Sequence, residues 1–214
     1  MRLWRPRGAA LSVGRLDARH PRLDDVLAVA RAAGVPAVRR LAGGRAATLD
    51  TGCLCLGWAQ PHPRLEDSSA RYELIAEAVA EALGSLGVST ALGESPGEWC
   101  PGAWSVQGAA GKLAGLAQRV VAGGAWCEAL IVIEGNAELR SLARKVHALL
   151  ELEFNDAAQG QLSELLPNRS GLHEALADAL VGALGQRFGE VRPRVLPSSV
   201  LAAATDLAAE HRFP

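Results

Sequence analysis

The sequence predicts an α/β (α+β) domain, and three observations support that class. Hydrophobic residues make up 49% of the 214, enough to bury a full core in one domain with at most a small C-terminal appendage. Segments whose apolar residues recur at helical spacing are interleaved with short apolar or alternating runs that end at glycine or proline. The formal net charge is −1 and no long block of like charges occurs, which leaves no electrostatic footprint for a nucleic acid or an acidic membrane surface. The four cysteines, Cys53, Cys55, Cys100 and Cys127, lack CxxC spacing and have no histidine at ligand spacing. Neither a signal peptide nor an apolar run of transmembrane length precedes them. The expectation is a cytoplasmic chain with reduced thiols and no bound metal, and with no nucleic-acid or membrane partner.

Each element has its own signal. Residues 9–13 form an apolar run that predicts a short strand ending at Gly14. Over residues 21–33, Leu23, Val26, Leu27, Val29 and Ala30 recur at helical spacing. Pro21 in the first turn, two early acids and Gly34 at the end complete the signature of an amphipathic helix. Residues 35–57 hold two β-like runs about Gly43 and Gly44, which predicts a hairpin whose second arm passes Asp50 and Gly52 into Cys53 and Cys55. Residues 61–63 break the pattern, and residues 66–86 predict a long helix with Tyr72, Ile75, Val79, Leu83 and Leu86 on one face. Strands are expected at residues 88–92, around 104–106 and over 112–119, the last two flanking a Gly-Ala-Ala-Gly link. The continuous apolar run at residues 125–134 reads as a buried central strand. Helices are expected at residues 138–153 and 171–185, then a Pro- and Arg-rich segment and a final Ala-rich helix. This divides the chain into a catalytic domain at residues 1–155 and a helical extension at residues 156–214.

The chemistry concentrates in residues 98–119. Cys100 precedes Pro101 and Gly102, residues that form a tight turn and keep a thiol reachable. Lys112 and Lys145 are the only lysines among 22 basic residues, and a flexible ammonium does work that a guanidinium does not. Lys112 follows Gly111 and stands close to Gly115 in a run of small residues that lets a ligand or backbone approach. A thiol with a neighbouring ammonium is a candidate nucleophile, because the thiolate is the reacting species. The other three cysteines lie on apolar runs, where a buried inert thiol is the ordinary case. Trp99 and Trp104, flanking the turn, suit the wall of an apolar tunnel, whereas His147 and His173 read as structural or surface residues.

Three stretches in this order, Val38-Arg39-Arg40-Leu41-Ala42-Gly43-Gly44-Arg45 running on to Leu49-Asp50-Thr51-Gly52, then Trp99-Cys100-Pro101-Gly102, then Gly111-Lys112-Leu113-Ala114-Gly115, together resemble the biotin/lipoate protein ligase catalytic family. Within it the likeness is to the octanoyl and lipoyl amidotransferases. The resemblance implies a mixed, largely antiparallel sheet flanked by helices over residues 3–155. It also implies an acyltransferase that carries an octanoyl or lipoyl group as a thioester on Cys100. The acceptor would be a lysine of a lipoyl-carrier domain, of the glycine cleavage H type or the 2-oxoacid dehydrogenase E2 type, with no cofactor. Lys112 would then bond the acyl carbonyl and its oxyanion and polarise the thiol. Gly43, Gly44, Gly111 and Gly115 would let backbone lie along the acyl chain, with Arg39, Arg40, Arg45 and Asp50 as further substrate-binding positions.

Plainer readings stand beside these. Gly43-Gly44 also fits a simple hairpin turn, Arg39-Arg40 a solvated basic pair, and Asp50 a turn cap beside Gly52. Arg45 replaces a glycine or apolar residue usual in the family, so its long cation is expected to narrow the acyl channel or bind a carboxylate or phosphate. The ATP-dependent ligase branch carries a histidine where Leu49 stands and a polar segment where Trp104-Ser105-Val106 stands. ATP and magnesium therefore belong to an alternative, a lipoate-protein ligase, and a second alternative is a non-catalytic acyl- or carrier-binding member. A strand and helix that open the family's domain are expected to be missing before Leu3, which would expose apolar surface at a sheet edge.

Overall fold

The computed structural model describes residues 1–61, 64, 66–192 and 194–213. Three long strands form the centre of its larger sheet: β5 (Cys53–Pro61), β8 (Gly111–Val121) and β9 (Gly124–Val132). Short strands extend it, β1 (Arg2–Trp4) on one edge and β7 (Val106–Gly108) and β6 (Ala91–Leu92) on the other, in the order β1-β5-β9-β8-β7-β6 with every pair antiparallel. The 125–134 run is central as expected, but its burial alternates: Ala125, Cys127, Ala129 and Ile131 are buried and the residues between them half-buried. Both faces of β9 are covered, one by helices and one by a cavity, and two covered faces give an apolar run without a period-two pattern.

The smaller sheet differs from the expectation. It holds β2 (Ala10–Val13), β3 (Ala37–Arg39) and β4 (Ala47–Leu49) in the order β3-β2-β4. The two runs about Gly43 and Gly44 therefore do not pair with each other and form no hairpin. Leu11 and Val13 are the most buried part of this sheet, so β2 takes its centre. Helix α1 (Leu23–Ala32) carries the chain back so that β3 lies parallel to β2, and β4 then adds antiparallel on the other side. The β3–β4 loop must cross the end of β2, where the Arg40 amide donates to Val13 O at 3.0 Å.

Helix α2 (Ser68–Ser85) packs Ile75, Val79 and Leu83 on the large sheet. Its expected face is correct, but it begins after residues 66–67. Helix α3 (Ala137–Leu149), capped by the Asn136 side chain on the amides of Glu138 and Leu139, covers the small sheet through Leu139, Leu142 and Val146. The one-turn α4 (Leu162–Leu165) leads to α5 (Leu172–Phe188), whose Leu172, Leu176, Leu180 and Leu184 join the large-sheet core with Leu162. Residues 156–188 are thus continuous in packing with the body of the domain, with no break at residue 155, and the Gly160 amide donates to Lys112 O at 3.1 Å. Among the helices of the described residues, α6 (Ser198–His211) alone buries no residue; His211 Nδ1 is 2.7 Å from Arg39 O, and the Phe213 amide donates to Ala37 O. His147 and His173 are both buried. The break expected at residues 61–63 begins at Pro61, the last residue of β5, with His62 and Pro63 outside the described residues. Among the described residues no helix is long and apolar enough to cross a membrane, and no cluster of His, Cys, Asp and Glu has metal-holding geometry.

Candidate active site

Cys100 lies in the long loop from β6 to β7, and its own φ is 42°, in the left-handed region. A non-glycine residue there costs about 1–2 kcal/mol and persists only where its surroundings hold it. Glu98 does the holding. Its buried carboxylate accepts from the Ser95 amide at 3.0 Å, the Gly102 amide at 3.2 Å, the Ser105 hydroxyl, Gln107 Nε2 and Lys112 Nζ at 3.0 Å. The amides on both sides of Cys100 are thereby tied to one point. Burial raises the Glu98 carboxyl, but the Ser105 hydroxyl and the Lys112 ammonium outweigh it and hold the group below its ordinary value. Gln159 adds a second tie, accepting from the Trp99 amide at 3.1 Å and donating to Gly97 O at 2.8 Å.

Lys112, on β8, is fully buried, and its ammonium has three donors and three acceptors: Glu98 Oε1, Trp99 O at 2.8 Å and Cys100 O at 2.8 Å. It also lies 4.3 Å from the centre of the Trp99 ring. Burial lowers its pKa, while the Glu98 carboxylate and Cys100 oppose the shift. Its three hydrogen bonds do not include the thiol sulfur. Lys112 grips the carbonyl of Cys100 and leaves the sulfur to other groups.

Those groups come from the β3–β4 loop. The Cys100 Sγ accepts from Arg40 Nη2 at 3.2 Å and from the Arg45 amide at 3.2 Å. Arg40 Nη2 also donates to Arg45 O at 2.7 Å, bracing the loop on itself. Gly44 has a φ of 91°, and a Cβ there would lie 2.7 Å from the Cys100 sulfur and closer still to Arg40 Nη2. Only glycine lets this loop close on the thiol.

The sulfur faces a cavity of about 200 Å³ between the two sheets, walled by Val38, Leu49, Trp99, Leu116 and Leu130, with Arg40 beside the thiol. Gly115 is part of that wall because a Cβ there would lie 2.7 Å from the Trp99 ring. A second cavity, of about 190 Å³, also reaches Cys100 and is bordered by Tyr72, Ala103 and Trp104. The two tryptophans flanking the turn thus line different cavities. The other three thiols are free and buried. Burial pushes Cys53 up to about 11 and Cys127 up to about 12, and raises Cys55 as well.

The structure brings together Cys100, Arg40, Gly44, the Arg45 amide and Gly115, with Lys112 behind the turn. It does not bring Arg39 there, because alternation along β3 sends that guanidinium to the other side, 5.1 Å from the Phe213 ring centre. The Arg45 side chain does not line the cavity between the sheets; it pairs with the buried Asp17 at 3.1 Å. Asp50 accepts from the Gly52 amide at 2.8 Å and from Asn136 Nδ2 at 2.9 Å, the turn-cap arrangement, facing a separate cavity. Gly43 donates its amide to Gln118 O at 3.1 Å. Gly111 is left-handed, its α-carbon against Ala158 rather than in the site. Sequence reasoning missed Glu98, Gln107, Gln159 and Asp17. For Glu98 a signal existed, an acid just ahead of the cysteine in a stretch with one lysine; for the rest only tertiary contact reveals the role.

Two sheets flanked by helices, with a cysteine on a left-handed turn beside a cavity between them, make up the architecture around this site. The chain belongs to the lipoyl protein ligase A/B catalytic domain family, whose model matches residues 1–174. It is similar to octanoyl-GcvH:protein N-octanoyltransferase from Exiguobacterium sibiricum, 33% identical over 137 residues that cover 64% of this chain and 50% of that protein. It is also similar to lipoyl-GcvH:protein N-lipoyltransferase from Listeria monocytogenes, 26% identical over 202 residues that cover 89% of this chain and 72% of that protein. Against the Exiguobacterium enzyme and its Geobacillus kaustophilus counterpart, the chain spans about half the relative's length, 50% and 49%. Among solved structures, lipoate-protein ligase A bound with ATP superposes with a TM-score of 0.75 at 16% identity, covering 98% of this chain and 81% of that one. The bipartite lipoate protein ligase of Thermoplasma acidophilum gives 0.71 at 16% identity, covering 98% and 79%. These two likenesses establish the fold.

Proposed function

We propose that the protein transfers an octanoyl or lipoyl group, through a thioester on Cys100, to a lysine of a lipoyl-carrier domain of the glycine cleavage H type or the 2-oxoacid dehydrogenase E2 type. The observation that carries this reading is the Cys100 sulfur itself, set on a left-handed turn, accepting two N–H donors and facing an apolar cavity. The names of the transferase relatives support the substrate class. In the first half-reaction the thiolate attacks the donor's acyl carbon, a C–S bond forms, and the donor group leaves with a proton. In the second, a neutral lysine amine attacks the thioester carbon, the C–S bond breaks, an amide forms, and the amine proton returns to the thiolate or to water. The Arg40 guanidinium and the Arg45 amide hold the sulfur's charge before attack and after departure. Lys112 and Glu98 keep the turn in its left-handed form, so Lys112 acts here as a positioning residue. No step draws on a nucleotide.

Intact-protein mass spectrometry after incubation with octanoyl carrier protein tests the proposal. A hydroxylamine-labile adduct is expected on the native protein and none on Cys100→Ala, which keeps the fold because Glu98 and Lys112 hold the loop. The same adduct on the variant would refute the nucleophile. Mixing with ATP and octanoate or lipoate is expected to release no pyrophosphate; release would move the reading to a ligase.

A further inference from the structure

The two cavities that reach Cys100 share its residue and Leu116 and otherwise have different walls. One lies between the sheets and suits an acyl tail. The other, about 190 Å³, is bordered by Tyr72, Pro101, Ala103, Trp104 and Leu116, and no carboxylate lines it among the described residues. We propose that this second cavity binds the aliphatic arm of the carrier lysine, so that an acyl-lysine straddles the sulfur with its tail in one cavity and its four-carbon arm in the other. The inference rests on the acyl-transfer reading above and names the subsite that receives the acceptor.

Three observations support it. A thioester on one sulfur must be reached from two directions, and the cavities meet only at that residue and one leucine. The lining suits methylenes, since Tyr72 and Trp104 offer aromatic faces and Pro101, Ala103 and Leu116 aliphatic surface. An apolar site without a carboxylate also favours the uncharged amine, which is the form that attacks. The lysyl nitrogen adds to the thioester carbon, the bond to Cys100 Sγ breaks, and the leaving thiolate returns to Arg40 Nη2 and the Arg45 amide.

The test starts from octanoyl-enzyme formed with an octanoyl thioester of N-acetylcysteamine. Its breakdown is timed with Nα-acetyl-lysine amide, with ethylamine at equal free-amine concentration, and with a lipoyl-carrier domain. The lysine derivative should react about tenfold faster than ethylamine, because two more methylenes lie in apolar contact. Ala103 is exposed at the cavity mouth, so Ala103→Trp should fill the space without disturbing the core. In that variant the lysine and carrier rates should fall about tenfold relative to ethylamine, and Trp104→Ala should narrow the same preference from the opposite side. Equal rates for lysine derivative and ethylamine in the native protein, or carrier transfer by Ala103→Trp at the native rate, would overturn the subsite while leaving the thioester reading intact. Absence of any octanoyl-enzyme on the native protein would overturn both.

Discussion

Two loops meet at Cys100, and they are built in opposite ways. The loop that carries the cysteine, between β6 and β7, is fixed by a buried ion pair: Glu98 and Lys112 have fully buried side chains and together engage six other groups in that region and each other. The facing loop between β3 and β4 is partly exposed and has no buried ion pair of two fully enclosed side chains; it is tied mainly through its backbone, to Val13 O, Gln118 O, Arg119 and Asp17, with Arg40 bracing Arg45 O and Arg45 pairing with Asp17. The buried loop determines where the sulfur stands. The facing loop supplies the two N–H groups that the sulfur meets. Position and charge are therefore separable here, although a neighbouring lysine and cysteine suggest in sequence that one residue provides both.

The largest effect expected of this division is on Lys112. Lys112→Ala leaves Glu98 buried without its counter-charge and should cost roughly 3–5 kcal/mol of stability, read as a lowered thermal midpoint. Lys112→Arg should recover little, because the space is closed by Gly115 and the Trp99 ring. A Lys112→Ala protein of native stability that had lost only acyl transfer would break the comparison and return the lysine to the acyl carbonyl. The partner adds a pH test. Glu98 is held below 4.5 in the folded protein, so its contribution is complete above that value and is lost as pH falls through the lower folded value. Acidification below pH 4.5 should lower the thermal midpoint more steeply in the native protein than in Glu98→Gln, which starts less stable.

On the open side, Arg40→Gln should slow iodoacetamide alkylation of Cys100 by about 10- to 100-fold, the range for a hydrogen bond to a charged group worth about 1.5–3 kcal/mol. Its thermal midpoint should move far less than that of Lys112→Ala. A slow alkylation rate in Lys112→Ala but not in Arg40→Gln would reverse the assignment of charge. Gly115→Ala pushes the Trp99 ring toward the cavity proposed for the acyl tail, at about 1–3 kcal/mol, and should shift single-turnover preference toward acyl groups shorter than octanoyl. The smallest effect belongs to Arg39→Ala. It removes a stacking contact with Phe213 worth about 0.5–1 kcal/mol and should leave acyl transfer at the native rate, which a substrate-binding arginine would not.

Much of the large sheet was legible because its information is local. Strands of nine to eleven residues, two of them joined through a short glycine turn, carry enough pattern to read alone. The small sheet was not, because three strands of three or four residues carry almost no periodicity, and a parallel pairing across α1 leaves no mark in either strand. The same contrast governs the site. Cys100 and Gly44 could be picked out by residue type and setting. That Lys112 bonds the Cys100 carbonyl while Arg40 bonds its sulfur could not be read, since it depends on contacts 12 and 60 positions apart that only the folded chain creates. Arg39 and Arg40 are adjacent and chemically alike; the end of β3 assigns one to each side.

The left-handed backbone at Cys100 sets the residue's chemistry against the domain's durability. At 42° in φ a glycine would be more comfortable, so variant libraries ranked by heat resistance alone would be drawn toward Cys100→Gly and would discard the thiol proposed as nucleophile. A thermostabilised form of this protein is better sought with position 100 withheld from randomisation.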